Sequence, residues 1–196
     1  MVGLLVVSAM VSLPTAAQSG ERITAFYEAH RQVIIVQQVA GALLLVPFLG
    51  FAVALDRRAR AQSGGSTRWL PLAGLLFAAA EVATNLPPLA LAAMPDPAPA
   101  TAHTLTLIED FADAALFVAI ALFSLVAALA EPSWVRIVGL AVAALTLVRA
   151  VASPLGVTAL DAAAPIAFLV FSLVLSVRLL VTDRARRSRA ARSPKQ

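Results

Sequence analysis

Cysteine is absent from the 196 residues, which excludes disulfides and thiolate metal sites and leaves the redox compartment unreadable. Lysine occurs once, at Lys195 near the end, so no apolar run holds an amine for a retinal-type Schiff base. The two histidines, His30 and His103, both fall near expected helix entries and lack the spacing of a metal or haem pair. No metal or other cofactor is therefore expected. Nucleophile-elbow glycines with a Ser/His/Asp set are missing, and so are Walker and Rossmann glycine patterns. Charge is scarce: 13% of residues are Asp, Glu, Lys or Arg, about half the share of a soluble domain.

Apolar residues, by contrast, make up 60% of the chain, well above the soluble average and typical of an integral membrane protein. The net charge of +4 invites a nucleic-acid reading, but the placement of the basic residues argues against it. Arg57, Arg58, Arg60 and Arg68 fall in one connection, and Arg184, Arg186, Arg187, Arg189, Arg192 and Lys195 fall in the tail. Clusters that flank apolar runs are the positive-inside signature. The expected partner is the lipid bilayer, with anionic headgroups within reach of the tail, and no nucleic acid.

The expected fold is all-α, a bundle of six transmembrane helices, or five if the first apolar segment is a cleaved signal. Residues 2–17 are apolar and uncharged but short for a span, which needs about 20 residues. They read as a first helix or as a signal peptide ending in Thr15-Ala16-Ala17. Residues 18–32 read as an outer segment with an interfacial turn or two, where Phe26 and Tyr27 suit the headgroup level. Further helices are expected over 33–55, 69–93, 105–129, 134–152 and 159–182. Pro47 should kink the second, and Asn85-Leu86-Pro87-Pro88 should break or bend the third. Linker 56–68 and the 131–136 turn are placed inside, and loop 95–102 outside. Residues 1–183 thus form one bundle at the plasma membrane, and 184–196 a basic, disordered cytoplasmic tail. Oligomerisation remains open.

The apolar stretch 103–130 carries the most unusual polar residues. His103, Thr106, Glu109, Asp110 and Asp113 recur at three- and four-residue spacing and share one side of a helix. Glu81 and Asn85 share a face of the preceding helix, and Thr146, Arg149 and Ser153 a face of the following one. Counting about 1.5 Å per residue puts Glu81 and Arg149 each roughly 20 Å from the inner boundary, at a height that suits Asp113. One reading is an outward-facing polar pocket formed by Glu81, Asn85, Glu109, Asp110, Asp113 and Arg149, with Arg149 paired to Glu81 or Asp113. Intramembrane ionisable residues are costly and face protein or water. Such a site can bind a cation, shuttle a proton or hold a polar headgroup. The plainer reading puts Glu109 and Asp110 in an exposed first turn, lets Arg149 snorkel, and makes Glu81 and Asn85 glue between helices.

Phe26-Tyr27-Glu28-Ala29-His30-Arg31 before the second expected helix, Asp110 with Asp113, and Leu160-Asp161-Ala162-Ala163-Ala164-Pro165 at the last carry a resemblance. The chain resembles small multi-pass actinobacterial membrane proteins of a domain of unknown function. That resemblance implies six helices and a plasma-membrane location; it implies no activity and no functional residue. The functional expectation is a non-enzymatic protein that binds a small ligand, lipid or membrane-protein partner on its outer side. A proton- or ion-coupled transporter comes second, and an enzyme using Glu81 or Asp113 as acid or base third. Transport wants polar residues along the whole path, and the inner half offers almost none.

Overall fold

In a computed structural model, residues 12–63, 69–153, 157 and 159–192 are described. They form five α-helices and no strand. These are α1 (Gly20–Ser63), α2 (Trp69–Ala93), α3 (Pro99–Leu129), α4 (Ser133–Ala152) and α5 (Ala163–Arg192). Each contains a segment long and apolar enough to cross a membrane. Short connections make neighbours antiparallel. One end of the bundle gathers the start of α1, residues 94–98 and residues 153, 157 and 159–162. The other gathers the end of α1, the turn at 130–132 and the later part of α5. A wide belt of exposed apolar side chains surrounds the middle, among them Val36, Leu43 and Val46 on α1, Leu75 on α2 and Ile137 on α4.

Several helix boundaries differ from the sequence expectation, each for a packing reason. Residues 12–15 are not helical and Ala16 and Ala17 lie in a turn; the rest of the helix expected over 2–17 lies outside the described residues. The helix expected to begin at 33 begins at Gly20. Ile23, Tyr27 and Ile34 lie along one buried face and pack with Leu91, Ala92 and Ala102. That cluster extends α1 beyond its apolar stretch, so 18–32 is not a separate interfacial segment. At its other end α1 continues to Ser63, through much of the expected linker. Pro87 and Pro88 do not end α2. They cannot donate to the carbonyls one turn back, yet both are buried, and neighbouring helices hold the segment in place. α3 starts six residues early, at Pro99, where a first-turn proline is pre-set for helix.

The centre of the bundle is aromatic. Phe48 of α1 lies 4.3 Å from Phe77 of α2 and 5.1 Å from Phe123 of α3, ring centre to ring centre. Phe168 of α5 closes the group, 5.8 Å from Phe77 and edge-on to Phe123 at 6.2 Å. Four helices therefore meet in one layer of phenylalanine rings. α4 fits beside them through Gly139, where an added Cβ would lie 2.6 Å from both Ala128 Cβ and Phe171 Cζ. Gly139→Ala is expected to destabilise the bundle by about 1–3 kcal/mol, the usual cost of overpacking. Gly50→Ala, which meets nothing within 4 Å, should be neutral or mildly stabilising. Thermal unfolding of the two variants in neutral detergent checks the contrast.

Candidate functional site

The polar face of α3 is set by helical spacing. Thr106, Glu109, Asp110 and Asp113 occupy successive turns, followed by Phe117. Because α3 begins at Pro99, Glu109 and Asp110 sit about three turns inside it and are only partly exposed. An exposed first turn therefore does not account for them. Asp110 accepts a hydrogen bond from the Ala16 backbone N–H at 2.9 Å, and the Ala16 carbonyl lies 3.1 Å from His103 Nε2. The segment before α1 thus lies across this face, with Leu13 against the Ile23–Tyr27 cluster.

Arg149 projects from the last turn of α4 into the same region. It is buried, at 8% exposure, and does not snorkel away from the bundle. Its Nη1 pairs with Asp113 Oδ2. Nη2 lies 3.3 Å from Asp161 Oδ1, in the turn before α5. The guanidinium carbon sits 4.0 Å from the centre of the Phe117 ring, a cation–π contact. One turn earlier on α4, Thr146 returns its hydroxyl to the Val142 carbonyl at 2.9 Å.

Glu81 and Asn85 lie one turn apart on α2, and Asn85 Nδ2 donates to Glu81 Oε1 at 3.5 Å. They face Gly41 of α1, where an added Cβ would lie 3.8 Å from the Glu81 carboxylate and from Asn85 Nδ2. A larger side chain at 41 would occupy the space the carboxylate uses. No ion pair joins Glu81 to Arg149 among the described residues; of the two partners expected for this arginine, Asp113 is the one in contact. Glu81 still lies within electrostatic range of Asp113. Glu109 lies within range of Asp110, Asp113 and Arg149, and Tyr27 within range of Glu109 and Asp110. Arg31, another arginine at this end, is committed elsewhere: its Nη2 donates to the Met94 carbonyl at 2.7 Å.

Two features escaped sequence reasoning. Asp161 is a second partner for Arg149, and its signal was a lone acid just before the last apolar run. The larger omission is at the opposite end. Arg58, taken for part of a solvated linker, is only 5% exposed and lies 3.1 Å from Glu131, itself 5% exposed. Arg178, within the last apolar run, turns its Nε to Glu131 Oε2 at 3.1 Å. Arg136 donates to the Glu131 carbonyl at 3.3 Å. The signal available was a single acid in the turn between two apolar runs, with arginines at matching heights on three helices.

The bundle thus carries two charged clusters separated by the phenylalanine layer. One gathers Glu81, Glu109, Asp110, Asp113 and Asp161 at the same end as Arg149, which contacts Asp113 and Asp161. The other has three arginines around one glutamate. The first is chemically suited to hold a cation, and the second an anion. Comparison with protein-family models, with curated proteins and with solved structures returns no match.

Proposed function

We propose that this chain is a multi-pass plasma-membrane protein that binds a small cationic ligand at an outward-facing carboxylate cluster. The observation that carries the reading is the excess of acids: Glu81, Glu109, Asp110, Asp113 and Asp161 lie at one end of the bundle, Arg149 is paired with only two of them, and Arg31 is held by the Met94 carbonyl. Glu81 and Glu109 then offer carboxyl oxygens to a ligand amine or guanidinium. Orientation follows from the basic residues. Arg57, Arg58, Arg60, Arg136, Arg178 and the arginines of the tail favour a cytoplasmic position for their end, with the C-terminus inside.

The phenylalanine layer supports binding over ion-coupled transport, because Phe48, Phe77, Phe123 and Phe168 fill the centre between the two charged clusters. Pairing of Asp113 with Arg149 also disfavours Asp113 as a free acid or base, which leaves Glu81 for an enzymatic reading.

The test titrates the purified protein, in a neutral maltoside detergent, with putrescine, agmatine and calcium chloride, using sodium chloride to match ionic strength. At least one probe is expected to raise the unfolding temperature saturably, since a ligand at 100 times its Kd stabilises by about 2.7 kcal/mol. Glu81→Gln/Glu109→Gln should abolish the shift. Glu21→Gln/Glu28→Gln, at exposed positions on the same end, should keep it. An equal shift in both double variants, or none with any probe, removes the reading.

A further inference from the structure

The arginine end holds more positive charge than its single glutamate neutralises. Arg58 and Arg178 both meet the Glu131 carboxylate, and Arg136 bonds its backbone carbonyl. Two guanidinium groups therefore share one carboxylate, with a third on the same residue's backbone, and the nearby Arg60 is matched by Asp56 at 2.6 Å. Arg58 is 95% buried; its Nη1 faces Glu131 Oε1 at 3.1 Å, and its Nε has no hydrogen-bond acceptor among the described residues. It lines a cavity of about 10 Å³ with Glu131, Leu70 and Ala127, room for about one water molecule and too little for a larger anion. Any further anion must approach from the side.

The group reaches the surface through residues of α4 and α5. Arg178 keeps 26% of its side chain exposed, and its guanidinium lies 5.6 Å from the centre of the Trp134 ring. Trp134 is 58% exposed, and Arg136 is exposed beside it in the first turn of α4. Arg178 lies four residues before the end of the apolar segment Ala163–Thr182. An indole with arginines at the edge of an apolar belt is placed at the level of lipid phosphates. Guanidinium groups bind phosphate through paired N–H donors, and basic recesses between membrane helices take anionic headgroups.

From this arrangement we propose that Arg136, Arg178 and Trp134 form a binding site for the phosphate of an anionic phospholipid, entered laterally between α4 and α5. Glu131 holds the two arginines from the buried side, Arg178 by its carboxylate and Arg136 by its backbone carbonyl. The inference rests on the five helices crossing a membrane and is independent of any ligand at the carboxylate end.

The experiment is native mass spectrometry of the full chain released from neutral detergent with phosphatidylglycerol or phosphatidylcholine. At least a fivefold preference for retained phosphatidylglycerol is expected. Arg136→Gln/Arg178→Gln should reduce that preference about fivefold or more. Arg57→Gln, an exposed arginine at the same end, should leave it unchanged. Should the double variant not fold, Arg136→Gln alone carries the test, because its side chain bonds only a backbone carbonyl at the surface. Equal retention of the two lipids overturns the proposal, and so does equal loss with Arg57→Gln. Inorganic phosphate is added as a third arm. Complete displacement of the lipid by millimolar phosphate would mark a free-anion site and also overturn it.

Discussion

Glu131→Ala is expected to be the most damaging single polar substitution in the bundle, with a loss of about 3–5 kcal/mol. The glutamate is the shared counter-charge of Arg58 and Arg178, and both it and Arg58 are 5% exposed. Its removal leaves a guanidinium buried among Leu55, Ala59, Leu70 and Ala127 with no carboxylate beside it. Uncompensated charge, more than lost attraction, drives the cost. Two controls follow. Glu131→Gln keeps the shape and some hydrogen bonding, so it should lose less. Arg58→Met combined with Glu131→Leu should recover much of the loss relative to Glu131→Ala, because apolar replacement of both partners removes the buried charge. Thermal unfolding in neutral detergent reads all three. If the double variant is no more stable than Glu131→Ala, the charge argument fails.

Arg149→Ala is expected to cost about 3 kcal/mol, the lower part of the range for breaking a buried pair, because the side chain of Asp113 keeps 21% of its surface exposed. In a chain of this size that corresponds to a fall of roughly 6–12 °C in the unfolding temperature. The guanidinium is held by Asp113, by Asp161 and by the Phe117 ring, so truncation orphans two carboxylates and opens a gap over an aromatic face. Asp161→Asn should cost under about 1 kcal/mol, since Asp161 is 43% exposed and screened. Arg136→Ala, which loses one surface bond to a carbonyl, belongs in the same small class. Equal unfolding temperatures for Arg149→Ala and Arg136→Ala would contradict the geometry.

How much of this was legible before the structure depends on which force set each feature. Apolar runs located the five described spans, because lipid exposure demands length and low polarity whatever the packing. The extension of α1 back to Gly20 was not read, since it depends on Ile23 and Tyr27 finding Leu91 and Ala102 across the bundle. Its trace was the spacing of Ile23, Tyr27 and Ile34 within an otherwise polar stretch. Pro87-Pro88 was read as a break or bend within a helix over 69–93, and the helix runs unbroken over those bounds with both prolines buried. The start of α3 mattered most for the site. A start at 105 made Glu109 and Asp110 ordinary surface acids; a start at Pro99 places them inside the bundle with Asp113. Pairing of Arg149 with Asp113 was within reach of helical faces and depth alone. Arg58 and Glu131 were hidden by a rule that is sound on average, that charges near span ends face solvent.

The phenylalanine layer has an electrical consequence. Its four rings fill the low-dielectric waist of the bundle, with acids on one side and arginines on the other. In an energised membrane most of the voltage would fall across that waist. A full crossing is worth about 2.3 kcal/mol per elementary charge per 100 mV. The cation proposed at Glu81 and Glu109 would stop short of the rings and sample little of that drop. Occupancy at the carboxylate end would then follow ligand concentration and remain nearly indifferent to the membrane potential.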